Sequence, residues 1–164
     1  MNFNPSLPAS YEYIHYTGKN MDTLDLNRAY TQTAENLALH RPNGLWLSVT
    51  GISDWEKYCL KNNYNLMNLK YEFQVKLKPN AKVLILHSNA AFENFEKKYA
   101  CYPEGMEISI RWEEIIKGYQ GLVLSYVMPK LRAMNLWYDT WCCTSACIWD
   151  LSAVEKVDGL GIMS

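Results

Sequence analysis

A chain of 164 residues has room for one domain, here taken to span residues 1–164, and for a core that buries about 70% of the unfolded chain's surface. With 49% hydrophobic and 20% charged residues and a formal net charge of -1, the composition excludes a disordered chain and disfavours nucleic acid as a partner. No window approaches about 18 apolar residues, and the start Met-Asn-Phe-Asn-Pro lacks a basic region followed by an apolar stretch, so neither a membrane span nor a signal peptide is expected. Cys59, Cys101, Cys142, Cys143 and Cys147 are odd in number and show no paired zinc spacing. They read as reduced thiols of a cytoplasmic protein without a metal, and export as an effector into a host cell stays open. The 12 Tyr and 6 Trp are a high aromatic load, suited to a Trp-rich core or to a site that stacks a flat ring.

In chain order, Tyr11 to Thr17 is aromatic and β-branched enough for a strand that Gly18 ends. Asp22 to Leu39 carries Leu26, Tyr30, Thr33 and Leu37 at helical spacing, which predicts an amphipathic helix. Arg41-Pro42-Asn43-Gly44 turns the chain into a short buried strand, Leu45 to Val49. Ser53-Asp54-Trp55-Glu56 fits a capping box and predicts a helix from Asp54 to about Lys61, with Trp55, Tyr58 and Cys59 inward.

Tyr71, Phe73, Val75 and Leu77 alternate with Glu72, Gln74, Lys76 and Lys78, the strongest strand pattern in the chain. Val83 to Leu86 is a continuous apolar run, hence a strand buried on both faces. Ser88 or Asn89 caps a helix with Phe92, Phe95 and Tyr99 inward. Trp112, Ile115 and Ile116 mark a short helix stopped by Gly118; Leu122 to Val127 and Ala146 to Leu151 resume strand. This irregular alternation predicts an α+β sandwich rather than a doubly wound sheet.

Three ordered segments carry a resemblance. Tyr13-Ile14-His15-Tyr16-Thr17-Gly18, then Asn43-Gly44-Leu45-Trp46-Leu47-Ser48, then Ser53-Asp54-Trp55-Glu56-Lys57-Tyr58-Cys59 resemble the NAD-binding half of poly(ADP-ribose) polymerase-like ADP-ribosyltransferases. There the first strand carries His-x-Ser/Thr, the second reads Gly-Ile-Tyr-Phe-Ala, and the following helix ends Ser-x-x-Tyr-Cys. Together with the Tyr-x-Phe-x-Val strand, Trp112 to Leu122 and Trp137 to Asp150, most of the chain resembles a bacterial and microbial-eukaryote family whose members include effectors that ADP-ribosylate ubiquitin on a threonine.

The resemblance implies the transferase fold, two small packed sheets flanked by short helices. It implies NAD as substrate and transfer of a single ADP-ribose to a protein side chain, with release of nicotinamide; ubiquitin is the acceptor it names. By the same resemblance His15 would hydrogen-bond the adenosine ribose, Thr17 would support that ribose, and the backbone at Tyr16 would clamp the carboxamide. Trp46 takes the family tyrosine's place, Tyr58 or Trp55 would stack on the nicotinamide, and Ser53 is a carboxamide partner that also fits a helix cap.

Breaking the nicotinamide–ribose bond builds positive charge on the sugar, as in glycosidases, so a carboxylate should stand beside it. The family's acidic positions fall on Gln120, Cys142 and Ser145 here, none of them an acid. The remaining candidates are Asp139, Glu113 and Glu114, with Asp150 more remote. Against each stands a bland role: a solvated loop aspartate, and acids that suit a helix N-terminus. Two rival readings therefore accompany the transferase: a degenerate fold that binds NAD, ADP-ribose or a protein without turnover, and an unrelated aromatic-rich interaction module.

Overall fold

The computed structural model describes residues 11–33, 41–51, 54–102, 104, 108–124, 136–139 and 141–162. The alternating run places β3 at Tyr71–Leu77, with Phe73, Val75 and Leu77 buried as the period of two requires. On one side it pairs antiparallel with β1 (Tyr13–Thr17) along all five residues of that strand. On the other it pairs with β9 (Val154–Ile162), a strand absent from the sequence reading.

β2 (Leu45–Val49) pairs antiparallel with β8 (Ser145–Ile148), β8 with β7 (Gly121–Leu124), and β7 runs parallel to β4 (Val83–Leu86). The order is β4-β7-β8-β2-β1-β3-β9, one mixed sheet of seven strands, with β5 (Ala100–Cys101) and β6 (Ser109–Ile110) as a separate ribbon. The α+β class holds. The expected pair of packed sheets is instead one sheet, because β1 and β2 join its halves at Tyr13–Val49 and Ile14–Ser48. Among the described residues these are the two register pairs that join β1 to β2, flanked by a hydrogen bond from Thr50 N to the Glu12 carbonyl oxygen.

Each face of the sheet has its own core. On one, Leu47, Val49, Phe73, Val75, Val83, Ile85 and Val123 gather with Leu24. On the other, Leu122, Leu124 and Cys147 lie under α2 (Asn89–Tyr99), α3 (Trp112–Ile115) and α4 (Leu136–Asp139). The helices contribute Phe92, Phe95, Tyr99, Trp112, Trp137 and Tyr138, and Phe92 stacks on Trp137 at 5.1 Å. Ser88 caps α2 by accepting from Ala91 N.

α1 (Trp55–Asn62) starts one residue later than expected and is capped by Asp54; Ser53 lies outside the described residues. The Asp54 carboxylate accepts from Lys57 N and Gly51 N and pairs with the Lys57 ammonium at 3.2 Å. A charged acceptor at the helix N-terminus gains from the dipole as well as the hydrogen bond. Glu56 accepts from the Tyr16 hydroxyl at 3.4 Å, and the expected capping-box pairing with Ser53 falls outside the described residues.

The helix expected over Asp22 to Leu39 is absent from 22–33, and 34–39 lie outside the described residues. Short polar side chains take over the backbone there: Asp25 accepts from Asn27 N, and Gln32 exchanges two 2.8 Å hydrogen bonds with the backbone of Asn43. β1 and β8 are each shorter than expected, starting at Tyr13 and ending at Ile148.

A split sheet opens a candidate binding cleft

Beyond Ile14 and Ser48 the two half-sheets part, and a cleft of about 820 Å³ opens between them, within the range of small-molecule and cofactor sites. His15, Tyr16 and Thr17 line it from β1, Trp46 and Ser48 from β2, and Trp55 and Tyr58 from α1. Helix α1 is held against β2 by Ser48, whose Oγ accepts from Trp55 N at 3.0 Å. Six of the seven residues that the resemblance assigns to NAD therefore border one space; the seventh, Ser53, is outside the described residues.

His15 spans the split. Its Nδ1 lies 2.9 Å from the carbonyl oxygen of Trp46. A carbonyl only accepts, so Nδ1 carries the proton and the neutral ring's lone pair is on Nε2. Burial lowers the His15 pKa below its ordinary value, and the Trp46 hydrogen bond only partly opposes this. A half-buried, neutral histidine with a fixed tautomer is an acceptor suited to a sugar hydroxyl.

Aromatic rings form two walls. Trp55 and Tyr58 stack at 5.7 Å and 17°, and Tyr64 meets both edge-on, at 5.9 and 6.2 Å. Across the cleft Trp46 tilts against Trp141 at 4.7 Å. Trp112, Trp137, Trp141 and Trp149 are no more than 5% exposed, so four of the six tryptophans serve the core. The two half-buried ones, Trp46 and Trp55, both border the cleft.

Tyr64, Asn65, Asn68, Arg41 and Trp141 also line the cleft, and sequence reasoning missed them. A signal existed for the first three. Asn63 and Asn65 adopt left-handed φ of 48° and 54°, which asparagine tolerates, and so the run Asn62-Asn63-Tyr64-Asn65 is a turn presenting one aromatic ring. The turn leads into the 3-10 helix Leu66–Leu69, which packs on the end of β1 so closely that a Cβ at Gly18 would meet the Met67 carbonyl oxygen at 2.7 Å.

The acidic candidates fare differently. Glu113 and Glu114 open α3, exposed and away from the cleft lining, and Glu114 is paired with Lys117 at 2.7 Å. They are helix-terminal acids rather than cleft groups. Asp139 ends α4, and its side chain is outside what the structure describes. Cys142 and Ser145, two of the expected acidic positions, do border the cleft.

Gln120, the third, does not. It borders a separate concavity of about 470 Å³. There it accepts from Lys82 N and donates to Asp150 and Ser152, so it ties the start of β7 to the end of β8. Gln120 is a structural bracket. Asp150 caps the 3-10 helix Leu151–Ala153, and the Ser152 hydroxyl beside it lowers its pKa. No aspartate or glutamate lines the cleft among the described residues.

Three of the thiols, Cys59, Cys143 and Cys147, are buried in the core. Burial pushes Cys143 up to about 12, and Cys147 and Cys59 are raised from the same cause. Among the described residues no cluster of three or more His, Cys, Asp or Glu could hold a metal ion, and no helix is long and apolar enough to cross a membrane. Compared with protein-family models, curated proteins and solved structures, the chain matches none.

Proposed function

We propose that the cleft binds NAD and that the chain is a mono-ADP-ribosyltransferase of the poly(ADP-ribose) polymerase type, acting on a protein side chain. The observation that carries this reading is the convergence of His15, Tyr16, Thr17, Trp46, Trp55 and Tyr58 on one cleft at the parting of β1 and β2. A dinucleotide asks for hydroxyl acceptors, ring faces and a cation for phosphate. Neutral His15, the Trp55–Tyr58 stack and Arg41 are of those types, in a space of suitable volume. Ubiquitin, named by the resemblance, is the acceptor to try first.

A second reading, NAD or ADP-ribose binding without turnover, is favoured by the absence of a carboxylate among the described cleft-lining residues. In a water-poor site one missing electrostatic partner costs about 10²- to 10³-fold in rate. Thermal melting with and without NAD tests both readings, since a ligand bound only by the folded state raises the melting temperature with concentration. Release of free nicotinamide then separates transfer from mere binding. No shift at millimolar NAD would remove both.

A further inference from the structure

We infer that the concavity of about 470 Å³ around Gln120 is a second binding site, for a phosphomonoester dianion, held by Lys78, Lys82 and Lys117. None of the residues that line it lines the cleft, so the inference stands apart from the NAD reading.

The floor of this site is a fixed frame. Three segments meet there: 78–82 between β3 and β4, 116–120 between α3 and β7, and 150–152 after β8. Gln120 joins them with every polar group it has. Its N donates to the Lys82 carbonyl at 2.7 Å, its Oε1 accepts from Lys82 N, its Nε2 donates to Asp150 and Ser152, and its carbonyl accepts from Trp149 N and Asp150 N. Lys78 N donates to the Ala153 carbonyl, and Ala81 N to the Lys78 carbonyl, which closes the turn that carries Lys78 and Lys82. A ligand therefore finds the backbone already ordered, in a space within the range of small-molecule sites.

Charge gives the site its selectivity. Among the described residues three lysines border it against one aspartate, in a chain whose formal net charge is -1, so the positive excess is local rather than a consequence of a basic chain. Lys78 and Lys82 enter no ion pair among the described residues, and Lys117 meets Glu114 in an exposed pair with which an anion can compete. Asp150 does not close the site, because its Oδ1 accepts from Ser152 N and its Oδ2 from Gln120 Nε2, within the frame. Gln120 contributes by being neutral, since an acid in its place would cancel part of the excess. Like charges gathered round one concavity repel, and a dianion relieves that repulsion more than a monoanion does. A phosphomonoester carries about -1.5 to -2 charge near neutral pH and offers strong acceptor oxygens to the three ammonium groups.

Trp149 supplies a reporter. Its indole N–H donates to the Tyr119 carbonyl at 2.6 Å on the wall of this concavity, whereas Trp46 and Trp55 border the cleft. The test is a titration of the isotope-labelled full chain with phenyl phosphate, followed by two-dimensional proton–nitrogen NMR, with benzyl alcohol as the neutral control. Phenyl phosphate should shift the Trp149 indole signal and the Gly118 and Gln120 amides in one saturable phase, and benzyl alcohol should not. Lys78→Gln and Lys82→Gln change exposed positions, and each should weaken binding about 1.5- to 5-fold, the worth of one exposed ion pair. The double variant should show roughly the product of the two losses. Should a variant fail to fold, the wild-type affinity itself must fall as sodium chloride rises, because exposed charges are screened. No shift at tens of millimolar phenyl phosphate, shifts confined to the Trp46 and Trp55 signals, a salt-independent affinity, or full affinity in a folded double variant overturns the inference.

Discussion

At the scale of single residues, His15 joins structure to function through its protonation state. Burial depresses its pKa below the ordinary 6.5, so as pH falls the unfolded chain takes up this proton first. Stability then rises with pH through that region. The contribution of neutral His15 is present above pH 6.5 and is lost as the pH drops through that value toward the folded-state pKa. Chemical denaturation at pH 7.5 and pH 5.5 should show wild type losing more stability than His15→Gln, which cannot charge. An equal loss would show that the ring is not held neutral. Cys142 offers the complementary prediction. It is half-buried on the cleft wall at a position where the transferases that the sequence resembles would carry an acid. Cys142→Asp should raise nicotinamide release, by up to about 10²-fold if the cleft is otherwise competent. Gln120→Asp should not, because it replaces a bracket and sets a carboxylate against Asp150.

At the scale of elements, the cap of α1 controls the cleft, for the helix carries Trp55 and Tyr58 and is anchored by Asp54 at 5% exposure. Asp54→Ala should cost about 0.5–2 kcal/mol of stability, with Asp54→Asn milder because it keeps an acceptor. Both losses are readable as melting temperature. A change within error for the alanine variant would mean that the Ser48 hydrogen bond to Trp55 N alone positions the helix. Elements whose pattern comes from burial were legible in the sequence: β3 by strict alternation, β4 by its apolar run, α2 by Phe92, Phe95 and Tyr99. The helix expected from Asp22 failed because spacing cannot weigh local hydrogen bonds. Leu26, assigned to its inner face, is 37% exposed, while Leu24 is 7% exposed in an irregular segment. β9 went unseen because Gly159, Gly161 and the charges of Glu155, Lys156 and Asp158 break alternation. The strand is made instead by pairing along β3, with register shifts that absorb the mismatch.

At the scale of the whole molecule, the cleft follows from how seven strands share one sheet. The β3–β1 and β8–β2 pairings are continuous, the β1–β2 junction is two residues long, and His15 bridges the opening through the Trp46 carbonyl. The cleft's first wall was readable because His-Tyr-Thr, Trp46 and the Trp55–Tyr58 pair follow in sequence order. Arg41 and Trp141 were not, since only the pairing of β2 with β8 brings chain segments a hundred residues apart to one space. The most direct measurement is calorimetric titration of NAD into wild type and His15→Ala, with thermal melts of both to establish folding. Wild type should bind one NAD per chain, and the folded variant should bind about two- to thirteenfold more weakly, as loss of one hydrogen bond implies. No binding by wild type, or equal affinity in a folded His15→Ala chain, would contradict the assignment of this cleft to NAD.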